Sequence, residues 1–199
     1  MDKTIFPLFE TIAIEQGKIL NLAQHQARYE QSLRQFYGKS AVKIYDLLEI
    51  LQKNTALWTT LESPLVRCRI DYHATDYHIQ CFPYQRKTYR TFQPVIDDDI
   101  DYGLKYADRT RLNALLQQKG DCDEIMIIKQ GCVTDCSIGN LIFRQGEQWF
   151  TPDTPLLAGT QRAFLLAQGK IQTRRILLEN IPHFEEIRLI NALNGLKVS

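Results

Sequence analysis

No apolar run in the 199 residues approaches the roughly 20 that a bilayer span requires, and Met1 to Glu10 lacks the basic segment and apolar stretch of a secretory leader. An excess of one charge is missing too. The 24 basic residues face 23 acidic ones with no long run of either, so nothing calls for a nucleic-acid or membrane partner. The five cysteines, Cys68, Cys81, Cys122, Cys132 and Cys136, are odd in number and without CxxC spacing, which argues against a disulfide framework or a metal site. The four histidines, His25, His73, His78 and His183, lie far apart in the sequence and show no ligand spacing or nucleophile partner, so none is assigned to catalysis. These absences predict a cytoplasmic protein with reduced thiols and no metal. No repeat or low-complexity segment is present.

What is there is a chain whose 44% hydrophobic content can build a real core. Leu8 to Ile14, the turn Glu15-Gln16-Gly17 and the return Lys18-Ile19-Leu20 read as a hairpin. Leu22, Tyr29, Leu33 and Phe36 recur near helical spacing, predicting a helix from Leu22 to Tyr37 stopped by Gly38. A second helix is expected over Ile44 to Lys53, and paired strands over Val66 to Tyr72 and Tyr77 to Phe82. The acidic stretch Asp97-Asp98-Asp99-Ile100-Asp101 is the best linker candidate, which predicts a small α+β N-terminal domain over 1–98 and a larger C-terminal domain over 99–199. The second domain is expected to hold a helix over Thr110 to Lys119 and strands over Glu124 to Lys129, Asn140 to Arg144 and Gln148 to Thr151. A helix from Thr160, a short strand at Ile176, a helix over Ile181 to Glu186 and a last strand over Arg188 to Leu193 complete it.

A lone lysine is usually a solvated surface charge, but Lys105 lies in Tyr102-Gly103-Leu104-Lys105-Tyr106-Ala107-Asp108-Arg109, between the acidic stretch and a helix. A side chain there can point into an interdomain cleft. Farther on, Val133-Thr134-Asp135 leads by four residues to Asn140, and Thr151-Pro152 leads to Gly159-Thr160-Gln161-Arg162, a glycine directly before a helix start. The N–H groups of such a terminus suit a phosphate.

This order of lysine segment, Val-Thr-acid-x-x-x-x-Asn, Thr-Pro and Gly-x-x-Arg resembles the class IV, fold type IV pyridoxal-phosphate (PLP) enzymes, which include branched-chain aminotransferase, D-amino-acid aminotransferase and 4-amino-4-deoxychorismate lyase. The likeness runs from Phe9-Glu10-Thr11 through His25-x-x-Arg28 to Asn191-Ala192-Leu193. It implies an α+β, two-domain D-amino-acid aminotransferase-like fold with a shortened N-terminal domain, PLP in the cleft between the domains, and a homodimer. By resemblance, Lys105 is the lysine that forms a Schiff base with the cofactor and shuttles protons, and Arg28 binds the cofactor phosphate. Asp135 takes the role of the acid paired with the protonated pyridine nitrogen, where the family usually has a glutamate. The aspartate is shorter by one methylene, roughly 1.5 Å. Asn140 is a support beside the cofactor, the Thr160 and Gln161 amides match the helix-terminus phosphate anchor, and Asn191 and Ala192 match a second strand end closing over the phosphate.

The Leu104-Lys105-x-x-x-Arg109, Val133-Thr134-Asp135-Cys136 and Asn191-Ala192-Leu193 segments look most like the lyase members. The reaction implied is conversion of 4-amino-4-deoxychorismate to 4-aminobenzoate and pyruvate, a folate-pathway step. The alternatives are a class IV aminotransferase acting on D-amino or branched-chain amino acids, and a PLP-binding relative impaired in turnover. Arg67, Arg69, Arg86 and Arg109 read equally well as carboxylate binders or as structural ion pairs, and receive no site role.

Overall fold

The computed structural model describes residues 6–38 and 41–196. The described residues fall into two compact units. One takes the chain up to Arg86 and then Leu104–Asp108; the other takes Lys87–Gly103 and everything from Arg109 on.

In the first unit the strands β1 (Leu8–Glu15), β2 (Lys18–Ile19), β3 (Leu65–Tyr72) and β4 (Tyr77–Pro83) form a sheet in the order β2-β1-β3-β4. Helix α1 (Leu22–Tyr37) runs to Gly38 as expected, and its buried residues His25, Tyr29, Ser32 and Leu33 mark one face at spacings of 4, 7 and 8. The core forms where Ile12 and Ile14 of β1 and Val66, Cys68, Ile70 and Tyr72 of β3 meet Tyr29 and Leu33 of α1. Leu47 and Leu51 of α2 (Leu47–Lys53) join the same cluster. This helix starts three residues later than the sequence predicts, because the Asp46 carboxylate caps it by accepting from the Leu48 N–H. A one-turn helix α3 (Ala56–Thr59) follows, too short for periodicity to signal.

The second unit begins with β5 (Phe92–Ile96), a strand the sequence reading did not anticipate. It pairs in parallel with β6 (Glu124–Lys129). Helix α4 (Thr110–Leu116) and a turn of 3-10 helix (Gln117–Lys119) connect them. The boundary expected at residue 98 therefore falls instead after Arg86. The acidic stretch is no loose linker: Asp97 pairs with Arg111, its N–H donates to the Ile128 carbonyl at 2.9 Å, and Asp98 accepts from the Gln130 N–H at 2.6 Å. Local charge density predicted solvation, but specific cations and amides take up the carboxylates.

The short β7 (Cys132–Val133) extends this sheet to β5-β6-β7. A second sheet holds β8 (Asn140–Gln145), β9 (Gln148–Pro152), β10 (Gln172–Arg174) and β11 (Glu186–Ile190) in the order β10-β9-β8-β11. Helix α5 (Thr160–Ala167) starts where the glycine-helix pattern placed it. Three predictions shift. The strand near Ile176 is β10, which ends at Arg174, whereas buried Ile176 accepts the Val133 N–H through its carbonyl at 2.8 Å. The helix expected over Ile181 to Glu186 is a 3-10 helix, Leu178–His183, with Pro182 inside it. The last strand stops at Ile190 because the Asn191 side chain accepts from the N–H groups of Leu193 and Asn194, at 3.0 and 2.9 Å, and turns the chain. No helix among the described residues is long and apolar enough to cross a membrane.

Candidate active site

Lys105 and Arg28 lie in the first unit. The return of Leu104–Asp108 to that unit is a backbone event: the Phe9 N–H donates to the Lys105 carbonyl at 3.1 Å, and the Ala107 N–H donates to the Pro7 carbonyl at 2.7 Å. Leu8 and Tyr106 form a bridge between these bonds. The lysine is thereby fixed beside β1, with its Nζ 4.7 Å from the centre of the Phe9 ring.

One residue along β1, Glu10 is fully buried and anchors a charged cluster that the sequence reading had not assembled. The Arg28 Nε and Nη2 donate to its two oxygens at 2.8 and 2.5 Å, and His25 Nδ1 lies 2.6 Å from Oε2. A carboxylate only accepts, so His25 carries its proton on Nδ1. Burial alone would raise the Glu10 pKa, but the Arg28 charge and the His25 hydrogen bond more than offset that and hold it at about 2. Burial also holds the His25 pKa below its ordinary value, against the pull of Glu10. Arg28 is thus held in one orientation by a buried acid. Both Glu10 and His25 sit inside recognisable segments, Phe-Glu-Thr and His-x-x-Arg, but only the packing of α1 on β1 reveals that they touch.

A pH dependence follows. Both groups have folded pKa values below their unfolded ones, so the unfolded chain binds more protons and stability falls with falling pH. The His25 part is lost as pH drops below 6.5, and the Glu10 part between 4.5 and about 2. A carboxyl lowered from 4.5 to about 2 corresponds to about 3 kcal/mol. Between pH 4.5 and about 2 the urea midpoint of the wild type should fall toward that of Glu10→Gln, and this difference isolates the Glu10 part from groups that titrate in the other direction. The Glu10→Gln protein should lose about 3 kcal/mol at pH 7, by leaving the guanidinium without its acid. An unchanged midpoint in that variant would show that the cluster contributes little.

Asp135, Asn140, Thr160, Gln161, Asn191 and Ala192 lie in the second unit. Asn140 is the hub. Its Nδ2 donates to Asp135 Oδ1 at 2.7 Å and to the Leu157 carbonyl at 2.9 Å, while its Oδ1 accepts the Gly159 N–H at 3.1 Å. The Leu157 N–H donates to Asp135 Oδ2 at 2.9 Å. One asparagine therefore ties the acid to the chain entering α5. A Cβ at Gly159 would sit 2.1 Å from Asn140 Oδ1, which makes this glycine a packing requirement. Gly159→Ala is expected to destabilise the protein by about 1–3 kcal/mol, read as a lowered urea midpoint. A wild-type midpoint would mean that Asn140 moves aside without loss.

The loop carrying Asp135 is secured from several sides. The Ile127 N–H of β6 donates to the Asp135 carbonyl at 2.8 Å, and the Ser137 hydroxyl donates to buried Glu124 at 2.8 Å. Arg109 donates to the Ser137 carbonyl at 2.7 Å, and the Asn191 amide donates to the Ile138 carbonyl at 3.1 Å. Arg109 is thus structural in its visible contact, as are Arg69 on Asp71 and Arg86 on Glu15. Gly139 lets Ile190 approach, since a Cβ there would meet the Ile190 carbonyl at 2.5 Å. Thr160 and Gln161 open α5, with Gln161 Nε2 3.3 Å from the Cβ position of Gly195.

Asp135 itself is 5% exposed. Burial pushes its carboxyl up to about 7, against the Leu157 amide, the Asn140 amide and the Arg162 charge, all of which favour ionisation. The groups that meet its oxygens, the Asn140 amide and the backbone N–H groups of Leu156 and Leu157, are all donors. This is a site made for a carboxylate, yet with too little positive charge to ionise it at its ordinary pKa. A cationic N–H brought to it would complete the balance.

Residues 102–198 match the model of the class IV amino-transferase family. A Haemophilus influenzae protein of uncharacterized activity is 64% identical over 192 residues, covering 96% of this chain and all of the relative. A crystal structure from Haemophilus somnus 129PT, assigned provisionally as a 4-amino-4-deoxychorismate lyase, superposes with a TM-score of 0.92 at 64% identity, covering 96% of this chain and 98% of that one. The PLP-bound form of a hypothetical Mycobacterium tuberculosis aminotransferase shares the fold at a TM-score of 0.79 and 14% identity, covering 96% of this chain and 78% of that one. With this fold, these motifs and these relatives, the chain belongs to the class IV amino-transferase family, the PLP-dependent enzymes of fold type IV.

Proposed function

We propose that this protein binds PLP and acts as a lyase, converting 4-amino-4-deoxychorismate to 4-aminobenzoate and pyruvate. The observation that carries the cofactor is Asp135, a buried carboxylate surrounded by donors and lacking enough positive charge, which suits a protonated pyridine nitrogen. The choice of lyase rests on the 64% identity to the Haemophilus somnus protein.

In this reading Lys105 would hold the cofactor covalently, and the phosphate binders that the resemblance assigns are Arg28, oriented by Glu10, in the first unit and the Thr160 and Gln161 amides in the second. By the same resemblance Asn191 and Ala192 would close over the phosphate, and Asn140 keeps Asp135 in place. When bound, PLP supplies an electron sink for the carbon that bears the substrate amine. Lys105 Nζ, freed when the substrate amine displaces it, would move the proton at the substrate ring carbon, and Asp135 would carry the negative charge that balances the cofactor nitrogen. Loss of pyruvate makes the ring aromatic and drives the reaction forward. The resemblance also supports a cytoplasmic homodimer, which sedimentation at micromolar concentration would check.

The test is to supply 4-amino-4-deoxychorismate to the PLP-loaded protein without any keto acid. Equal amounts of pyruvate and 4-aminobenzoate over many turnovers are expected. Turnover of amino acids only when a keto acid is added would reassign the protein as an aminotransferase. Cofactor binding without either activity would make it an impaired relative.

A further inference from the structure

Cys68 on β3 and Cys81 on β4 are direct partners in the antiparallel register. The hydrogen bonds at the two ends of this ladder say which kind of pair they form. The His73 N–H donates to the Asp76 carbonyl at 3.1 Å, and the Tyr84 N–H donates to the Leu65 carbonyl at 2.9 Å, so the 73/76 and 65/84 pairs are hydrogen-bonded. Pairs alternate along an antiparallel ladder, which makes Cys68 and Cys81, three steps from Leu65 and Tyr84, a non-hydrogen-bonded pair. Such pairs bring Cα atoms to about 4.5 Å, inside the range of roughly 4.4–6.8 Å that a disulfide spans. The other three cysteines have no cysteine opposite them in any strand pairing.

The two thiols differ in character. Cys68 is fully buried in the core, whereas Cys81 lies on β4, the edge strand of its sheet, and is partly exposed. They are hydrogen-bonded to each other. That bond, followed by burial, raises the Cys68 pKa, and the same bond lowers that of Cys81. The exposed member is therefore the better nucleophile, and the buried member stands directly behind it.

We propose that Cys68 and Cys81 form a redox-convertible dithiol, in which exchange with a small disulfide such as glutathione disulfide closes a cross-strand disulfide between β3 and β4. The Cys81 thiolate attacks one sulfur of the oxidant and releases one glutathione thiolate. Cys68 then loses its proton and attacks Cys81 Sγ in the mixed disulfide, displacing the second glutathione. Two protein thiols are oxidised to one disulfide, and one glutathione disulfide is reduced to two thiols.

The test uses the full-length wild-type protein equilibrated in glutathione buffers of increasing oxidised fraction, then alkylated and mapped. Cleavage after Arg67, Arg69 and Arg86 places the two cysteines on separate peptides. A cross-linked pair with the loss of two hydrogens is expected, while buried Cys136 stays unalkylated and so reports an intact fold. In the reduced protein, Cys81 should alkylate at least roughly tenfold faster than Cys136. The Cys68→Ser protein should stop at a mixed disulfide on Cys81. Wild-type protein that accumulates that mixed disulfide, or that keeps both thiols at the most oxidising ratio, would overturn the proposal.

Discussion

Lys105→Ala is expected to leave the protein folded, to abolish covalent capture of PLP on borohydride reduction, and to lower turnover by at least roughly 10³-fold. The fold is expected to survive because Leu104–Asp108 is held through its backbone and through buried Leu104. Among the local interactions it removes is the contact with the Phe9 ring, of the order of 0.5–1 kcal/mol. What it removes chemically has no substitute in the alanine variant, since the covalent role requires a primary amine at this place beside β1. Mass spectrometry after reduction reads the outcome directly. Retained covalent PLP on the variant would assign the role to a different lysine, and a wild-type protein that captures no PLP would remove the cofactor assignment itself.

Asp135→Asn should lower turnover by about 100-fold and also change how stability depends on pH. A charge-assisted hydrogen bond to the cofactor nitrogen contributes about 3 kcal/mol at most, close to two powers of ten in rate. The replacement is also a poor fit locally: Asn140 Nδ2 and the Leu157 N–H both point donors at this side chain, and an amide presents its own NH2 to one of them. The stability effect has the opposite sign to that of Glu10. Raised from 3.8 to about 7, the folded Asp135 holds its proton longer than the unfolded chain does, so its contribution is full below pH 3.8 and lost as pH rises through about 7. The span corresponds to about 4 kcal/mol in cofactor-free protein. His25 titrates within the same range and works in the other direction, so the difference between wild type and Asp135→Asn, not either profile alone, isolates the aspartate. If urea midpoints of the two cofactor-free proteins run parallel from pH 4 to pH 8, the carboxylate is not the strained group described here. Adding PLP should shrink the pH-dependent difference between the two proteins, because a cation then balances the wild-type carboxylate.

The parts of this protein that the sequence determined are those written in short-range pattern. Helix α1 shows its 3.6-residue stripe and its stop at Gly38, the β1–β2 and β3–β4 hairpins show alternation broken by turn residues, and Gly159 announces α5. The site residues were named from motif order, because each motif is a local piece of backbone with its own side-chain type. Tertiary structure decided what depends on partners distant in sequence. Strand β5 has little signal until β6 lies beside it, and the acidic stretch reads as solvated until Arg111 and the Gln130 amide meet it. Glu10, His25 and Arg28 become one buried cluster only when α1 packs on β1, and Cys68 meets Cys81 only through strand register. Asp135 makes the division plain: its identity and spacing to Asn140 are sequence, but its pKa near 7 is the work of burial, which no local pattern encodes because desolvation is set by everything that packs around the group.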